Sequence, residues 1–197
     1  MGADLSVGRL LEAYSKGIFP WFSFRDWPFP LWYCPMDRFV IFPEEIHVSH
    51  SMRTLINSGR YRVTFNEAFR EVIEACGSVD SRYEHEGAWL GVDMTEAYTR
   101  LHELGHAMSV EVWEGEKLAG GLYGVTVGKV FCGESMFSRV PNGSKLALIH
   151  LARTLSRTTD SNSGFLIDCQ FETPHLKSMG GRHFPYIFYL SYLHPAE

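Results

Sequence analysis

Residues 108–137, MSVEVWEGEKLAGGLYGVTVGKVFCGESMF, decide the fold. Met108 to Trp113 alternates as a half-buried strand does, and Glu114-Gly115-Glu116-Lys117 is a turn. Leu118 to Val127 is a second strand, Gly128-Lys129 a tight turn, and Val130 to Phe137 a third strand. Three strands in succession joined by short turns form an antiparallel meander. Gly120, Gly121 and Gly124 fall inside the second strand, where glycine marks a bulge or a close backbone approach.

Toward the N-terminus, Ser6 is predicted to cap a helix with Leu10, Leu11, Ala13 and Tyr14 on one side, ended by Gly17. Ile18 to Pro35 is crowded with aromatics and prolines, which forbid a long helix and favour rigid loops. Phe39 to Phe42 reads as a strand, and Ser49 or Ser51 caps a helix ending at Gly59. Tyr61 to Phe65 alternates as a strand, after which Asn66 caps a helix carrying Phe69, Val72, Ile73 and Cys76. A charged, glycine-containing loop leads to Trp89, and a further helix spans Asp93 to Leu104. Beyond the meander, Asn142 or Ser144 opens a helix through Leu155, Phe165 to Gln170 is a strand, a short helix holds Leu176 and Met179, and Tyr186 to Tyr192 is a last strand. This order implies an α+β protein with a mixed, largely antiparallel sheet flanked by helices, of the acetyltransferase (GNAT) kind. The expected division is a small aromatic-rich subdomain over 1–60 and a catalytic domain over 61–197.

The chain has 197 residues and is 45% hydrophobic, which is ample for a core. A net charge of -5 argues against indiscriminate nucleic-acid binding, so a polyanion would be held locally. Arg53, Arg60 and Arg62 form the one modest basic cluster. Cys34, Cys76, Cys132 and Cys169 show neither metal spacing nor the density of a disulfide scaffold, which points to a reducing compartment. With no targeting segment and no apolar run that could span a bilayer, the expectation is a cytoplasmic protein with no membrane partner.

Phe131 to Arg139 sets one carboxylate, Glu134, among aromatics, methionine and cysteine. Desolvating an unpaired charge costs several kcal/mol, so Glu134 is neutralised, paired, or reserved for a cationic substrate. His102-Glu103-Leu104-Gly105-His106 matches the zinc-protease pattern, and makes a zinc-dependent hydrolase one alternative reading. Against it, Ser109 and Val112 stand where a metzincin has glycine and histidine, and the chain passes directly into a strand. Ser135 lacks the second glycine of a hydrolase elbow, and Cys132 and Cys169 sit in apolar strands that suit inert thiols. On a strand, Asp168 and Gln170 would face the same way, where the carboxylate could polarise the glutamine amide and prepare its carbonyl oxygen for an ammonium.

Gly17 to Phe22, Glu86 to Trp89, Leu101 to Ala107, Gly120 to Gly124, Phe131 to Arg139 and Leu166 to Gln170 resemble, in order and spacing, the leucyl/phenylalanyl-tRNA-protein transferase family. The resemblance implies an acetyltransferase-like catalytic domain that moves leucine or phenylalanine, and methionine less well, from its tRNA onto proteins beginning with arginine or lysine, as a degradation signal of the N-end rule. No cofactor or metal is implied, and a monomer is expected. By resemblance Trp21 and Trp89 hold the terminal adenosine, and Leu122, Phe131, Met136, Leu148, Leu151 and Ile167 form the aminoacyl pocket. Strict alternation would separate Phe131 from Met136, so a bulge near Gly133 is required. Asp168 and Gln170 would hold and help deprotonate the acceptor amine, while Glu134 reads its positive charge. The remaining alternative is a non-catalytic tRNA or N-terminus binding module. Relative to the family the N-terminal subdomain is expected to be truncated, and Pro185-Tyr186-Ile187 replaces arginines. Fewer phosphate partners predict weak, strongly salt-dependent tRNA binding; an affinity insensitive to salt across a broad titration would oppose this.

Overall fold

A computed structural model of the chain describes residues 4–21, 30–79, 92–158 and 164–195. In chain order the elements are α1 (Val7–Ser15), β1 (Phe19–Pro20), β2 (Trp32–Tyr33), β3 (Asp37–Ile41), a 3-10 turn at Pro43–Glu45, α2 (His50–Asn57) and β4 (Arg62–Phe65). They continue with α3 (Phe69–Val79), α4 (Val92–Glu103), β5 (Ala107–Glu114), β6 (Lys117–Val127), β7 (Val130–Ser138), α5 (Gly143–Arg157), β8 (Leu166–Asp168), α6 (Pro174–Ser178), β9 (Arg182–Pro185) and α7 (Tyr186–Leu193).

The meander forms as read: β5, β6 and β7 are consecutive antiparallel neighbours in a seven-stranded sheet ordered β4-β5-β6-β7-β8-β3-β9. Among the described residues, only β7 and β8 run parallel. The sheet takes β3 from the first sixty residues, between β8 and β9, whereas β1 and β2 pair separately. Strand alternation sends successive side chains to two apolar clusters. Val40, Tyr123, Val125, Cys132 and Leu166 join α1, α3, α4 and α7 in one cluster; Phe39, Ile41, Leu122, Phe131 and Ile167 join α2, α5 and α6 in the other. Gly120 lies so close to the start of α5 that a Cβ there would stand 2.8 Å from the Gly143 backbone, the close approach its position in a strand implied.

Three local expectations change. Asn66 does not cap α3: its φ is +61° and its side chain accepts from the Ser109 N–H at 3.0 Å. Buried Glu111 on β5 instead accepts from the Glu67 and Ala68 N–H groups, each at 3.4 Å, so a cross-strand carboxylate serves the helix entry. The strand ending at Gln170 stops at Asp168, and Gln170 turns out with φ +58°. Tyr186–Leu193 is a helix, not a strand, and the extended segment is β9 before it. Apolar residues at nearly every position obscure the period, but the buried pair Tyr189 and Leu193 is spaced by one helical turn, and Pro185 sits at the N-cap position.

Candidate active site

The parallel pairing of β7 with β8 ends at Cys132 and Asp168. Beyond it β7 stays on β6 as far as Ser138, while the other chain leaves at the Gln170 turn and runs into α6. The two paths bound a cavity of about 660 Å³. Leu122, Phe131, Gly133, Met136, Leu148 and Ile167 line it, as do Glu134, Gln170 and His175. Leu151, expected in the same pocket, is fully buried in the apolar cluster with Leu148 and is not part of the lining.

The bulge required near Gly133 is present. Gly124 pairs with Gly133 and Tyr123 with Ser135, which leaves Glu134 with no residue opposite. One extra residue reverses the facing of everything after it, so Phe131 and Met136 reach the same cavity. The bulge also places Glu134 within the cavity wall. Its Oε2 accepts from the Tyr98 hydroxyl at 2.9 Å, and Tyr98 in turn is 2.5 Å from the Tyr14 hydroxyl, linking α4 and α1 to the site. Oε1 is buried and has no hydrogen-bond partner among the described residues. Burial pushes the Glu134 carboxyl up from 4.5 to about 7, against the tyrosine hydrogen bonds that pull it down.

Asp168 is a carboxylate of a different kind. Its side chain is 1% exposed, and its Oδ2 receives Arg38 Nη1 at 2.8 Å and the Tyr189 hydroxyl at 2.9 Å. Its Oδ1 receives the Gln170 backbone N–H at 2.9 Å. The relay anticipated through the Gln170 side-chain amide is therefore replaced by a bond to its backbone, because Gln170 lies beyond the strand and faces elsewhere. Burial raises the Asp168 carboxyl above its ordinary range, opposed by Arg38 and the other two donors. A non-glycine residue at positive φ costs on the order of 1–2 kcal/mol, and the Asp168 bond offsets part of that.

Trp21 is half-buried, with its ring 4.4 Å from Phe171, the residue after the Gln170 turn, and 6.1 Å from Tyr33. Trp89, the Glu86 to Ala88 stretch before it and the aromatics of residues 22–29 lie outside the described residues. The histidine pair does not converge as zinc ligands would. His102 Nδ1 is 2.9 Å from the Ala107 carbonyl oxygen, its ring stacks on Phe69 at 4.2 Å, and Glu103 pairs with Arg100 at 2.7 Å. Among the described residues no group of three or more His, Cys, Asp or Glu side chains is placed to hold a metal. Burial raises the thiols of Cys132 and Cys169, as expected for inert cysteines. Arg60 and Arg62 pair with Glu114 at 2.7 Å and Glu67 at 2.9 Å, which diminishes the basic cluster.

Sequence reading missed Arg38, Tyr189, Tyr98 and Tyr14. Arg38 offered a signal, a cation directly before the apolar Phe39-Val40-Ile41 run; Tyr14 and Tyr98 fell within expected helices and Tyr189 within the expected last strand, with no mark of a polar role.

The profile of the family described as leucyl/phenylalanyl-tRNA protein transferase matches residues 40–194, and that of its N-terminal domain matches residues 3–36. A leucyl/phenylalanyl-tRNA--protein transferase of Flavobacterium psychrophilum is 50% identical over 193 residues, covering 98% of this chain and 88% of that protein. One from Erwinia tasmaniensis is 48% identical over 194 residues, covering 98% and 80%. The chain belongs to the leucyl/phenylalanyl-tRNA protein transferase family.

Proposed function

We propose that the protein transfers leucyl or phenylalanyl groups, and methionyl less well, from aminoacyl-tRNA to the α-amino group of proteins beginning with arginine or lysine. The observation that carries the reading, beside family membership, is the β7 bulge: it puts Glu134, one of whose oxygens is buried without a partner among the described residues, into the wall of a cavity that apolar side chains line together with Gln170, His175 and several hydroxyls. A cationic amine and an aliphatic or aromatic side chain are the two groups such a cavity accepts.

The aminoacyl side chain lies against Leu122, Phe131, Met136, Leu148 and Ile167, with Leu151 backing the wall. One methylene is worth only about 1 to 3 kcal/mol there, so selectivity is imperfect. Trp21 and Trp89 supply indole faces for the terminal adenosine. Glu134 holds the acceptor's ammonium or its cationic side chain, and Gln170, presented by its turn, orients the amine. The amine nitrogen then attacks the ester carbonyl; a C–N bond forms, the bond from carbonyl carbon to ribose oxygen breaks, and that oxygen takes up a proton. An α-amine has an ordinary pKa of about 7.7 to 8.0, so freeing it near neutral pH costs roughly 1 kcal/mol, and positioning carries most of the catalysis.

The splay between β7 and β8 supports the acetyltransferase-like assignment. In this reading the catalytic unit starts near Asp37 rather than at residue 61, which the place of β3 in the large sheet and the matched ranges 3–36 and 40–194 support. The product would carry a degradation signal in the cytoplasm, the enzyme acting as a monomer. Transfer of labelled leucine from leucyl-tRNA to a peptide beginning with arginine tests the reading. No transfer with aminoacyl-adenosine binding intact would favour a binding module.

A further inference from the structure

Both oxygens of Asp168 are used by the protein itself. Oδ2 takes Arg38 and Tyr189, Oδ1 takes the Gln170 N–H, and the side chain is 1% exposed. Three donors take three of the roughly four acceptor directions of a carboxylate, and burial closes the group to an incoming amine. Gln170, by contrast, lines the cavity and stands in a turn of three residues closed by the Phe171 N–H on the Cys169 carbonyl oxygen at 2.6 Å, with φ +58°. Few non-glycine residues hold such a conformation unless their surroundings impose it. Here Asp168 imposes it, and Arg38 holds Asp168 in place.

Arg38 is unusual in what it joins. Fully buried on β3, it gives Nη1 to Asp168 on β8 and Nη2 to the Gly17 carbonyl oxygen behind α1, and its guanidinium lies over the Phe19 ring at 5.4 Å and the Tyr189 ring at 4.6 Å. A planar fork of donors can meet all these partners at once, which a lysine ammonium cannot.

We propose that Arg38 is a positioning residue for the transfer: with Tyr189 it clamps Asp168, which holds the Gln170 turn so that the glutamine side chain meets the acceptor amine, and Asp168 takes no proton in the reaction. This rests on the transferase reading. The proton leaves the amine without visiting Asp168; Glu134 lines the cavity, and its buried Oε1 has no partner among the described residues.

The test uses the full chain with Arg38→Lys, Tyr189→Phe, Gln170→Ala and the Arg38→Lys/Gln170→Ala pair. Hydrogen exchange across residues 168–171 should accelerate about tenfold or more in Arg38→Lys. Unchanged exchange there overturns the clamp whether or not the protein transfers anything. In the transfer assay, Arg38→Lys should lower kcat by about tenfold, leave KM for leucyl-tRNA within about twofold, and keep the wild-type shape of the pH–rate profile. Arg38→Lys should add no loss to Gln170→Ala, because it acts through that residue. Multiplying losses, or a pH limb displaced by about one unit as expected if Arg38 tuned a base at Asp168, overturns the proposal. Should Arg38→Lys fail to fold, Tyr189→Phe, which removes one donor and keeps the ring, should give the same pattern at about threefold. Wild-type protein without transfer counts against the enzyme reading alone, and the exchange measurement still decides the clamp.

Discussion

Glu134 on the β7 bulge and Asp168 at the end of β8 stand in neighbouring strands, and burial raises both carboxyls above their ordinary range. They differ in their partners. Asp168 has a buried guanidinium, a hydroxyl and a backbone N–H across its two oxygens; Glu134 has the Tyr98 and Tyr14 hydroxyls on one side, and its Oε1 has no partner among the described residues. Desolvation alone does not mark a functional carboxylate: Glu111 is as buried and is bound by Thr64, Ser109 and two backbone N–H groups at the entry to α3. What separates Glu134 from Asp168 and Glu111 is an acceptor left unsatisfied among the described residues.

The sharpest way to break the contrast is to remove each carboxylate. Asp168→Ala leaves the Arg38 charge buried and unpaired, and should cost about 3–5 kcal/mol of folding stability in denaturant melts. An unaltered midpoint would mean that the Arg38 pair does not hold the fold. Glu134→Gln has no buried cation to strand, so its stability near pH 8 should equal or exceed wild type. Its transfer efficiency, kcat/KM for an arginine-initial peptide, should nevertheless fall by about 10- to 100-fold through lost charge on the amine. Wild-type efficiency in this variant would remove Glu134 from the site.

A second test uses pH. The Glu134 carboxyl titrates near 4.5 when unfolded and at about 7 when folded, so the folded state holds the proton more tightly. Between those values the unfolded chain has released a proton that the folded one keeps, and stability therefore falls as pH rises from about 4.5 to 7. The contribution is on the order of 3 kcal/mol, present below that window and lost above it. Unfolding free energies measured at several pH values should show this slope in wild type and lose it in Glu134→Gln; parallel curves would refute the assignment. The smallest effect expected is that of Tyr98→Phe. Removing the Tyr98 hydroxyl from Oε2 should move the rising limb of the transfer pH profile upward by about one unit, since that bond favours the charged form. A stationary limb would show that Tyr98 does not tune Glu134.

Much of this arrangement was legible in the chain. The meander could be read because each strand alternates and each turn carries glycine or charge, and Phe131 with Met136 demanded a bulge where Gly133 allowed one. Other elements resisted. Tyr186 to Tyr192 is apolar at nearly every position, so no period separates strand from helix. Asp168 and Gln170 were assigned to one face because a strand was extended two residues too far, past a turn whose positive φ falls on a glutamine and so carries no glycine as its mark. Arg38 and Asp168 are 130 positions apart, and nothing local to either announces the other.

By itself, then, the sequence determined the antiparallel meander and the family, because these rest on short-range periodicity and on motif spacing. The partners of the two carboxylates were decided only by tertiary structure. Whether a buried acid is satisfied depends on donors delivered by α1, α4, β3 and α7, and bringing those together is the work of sheet pairing and packing between residues distant in the chain.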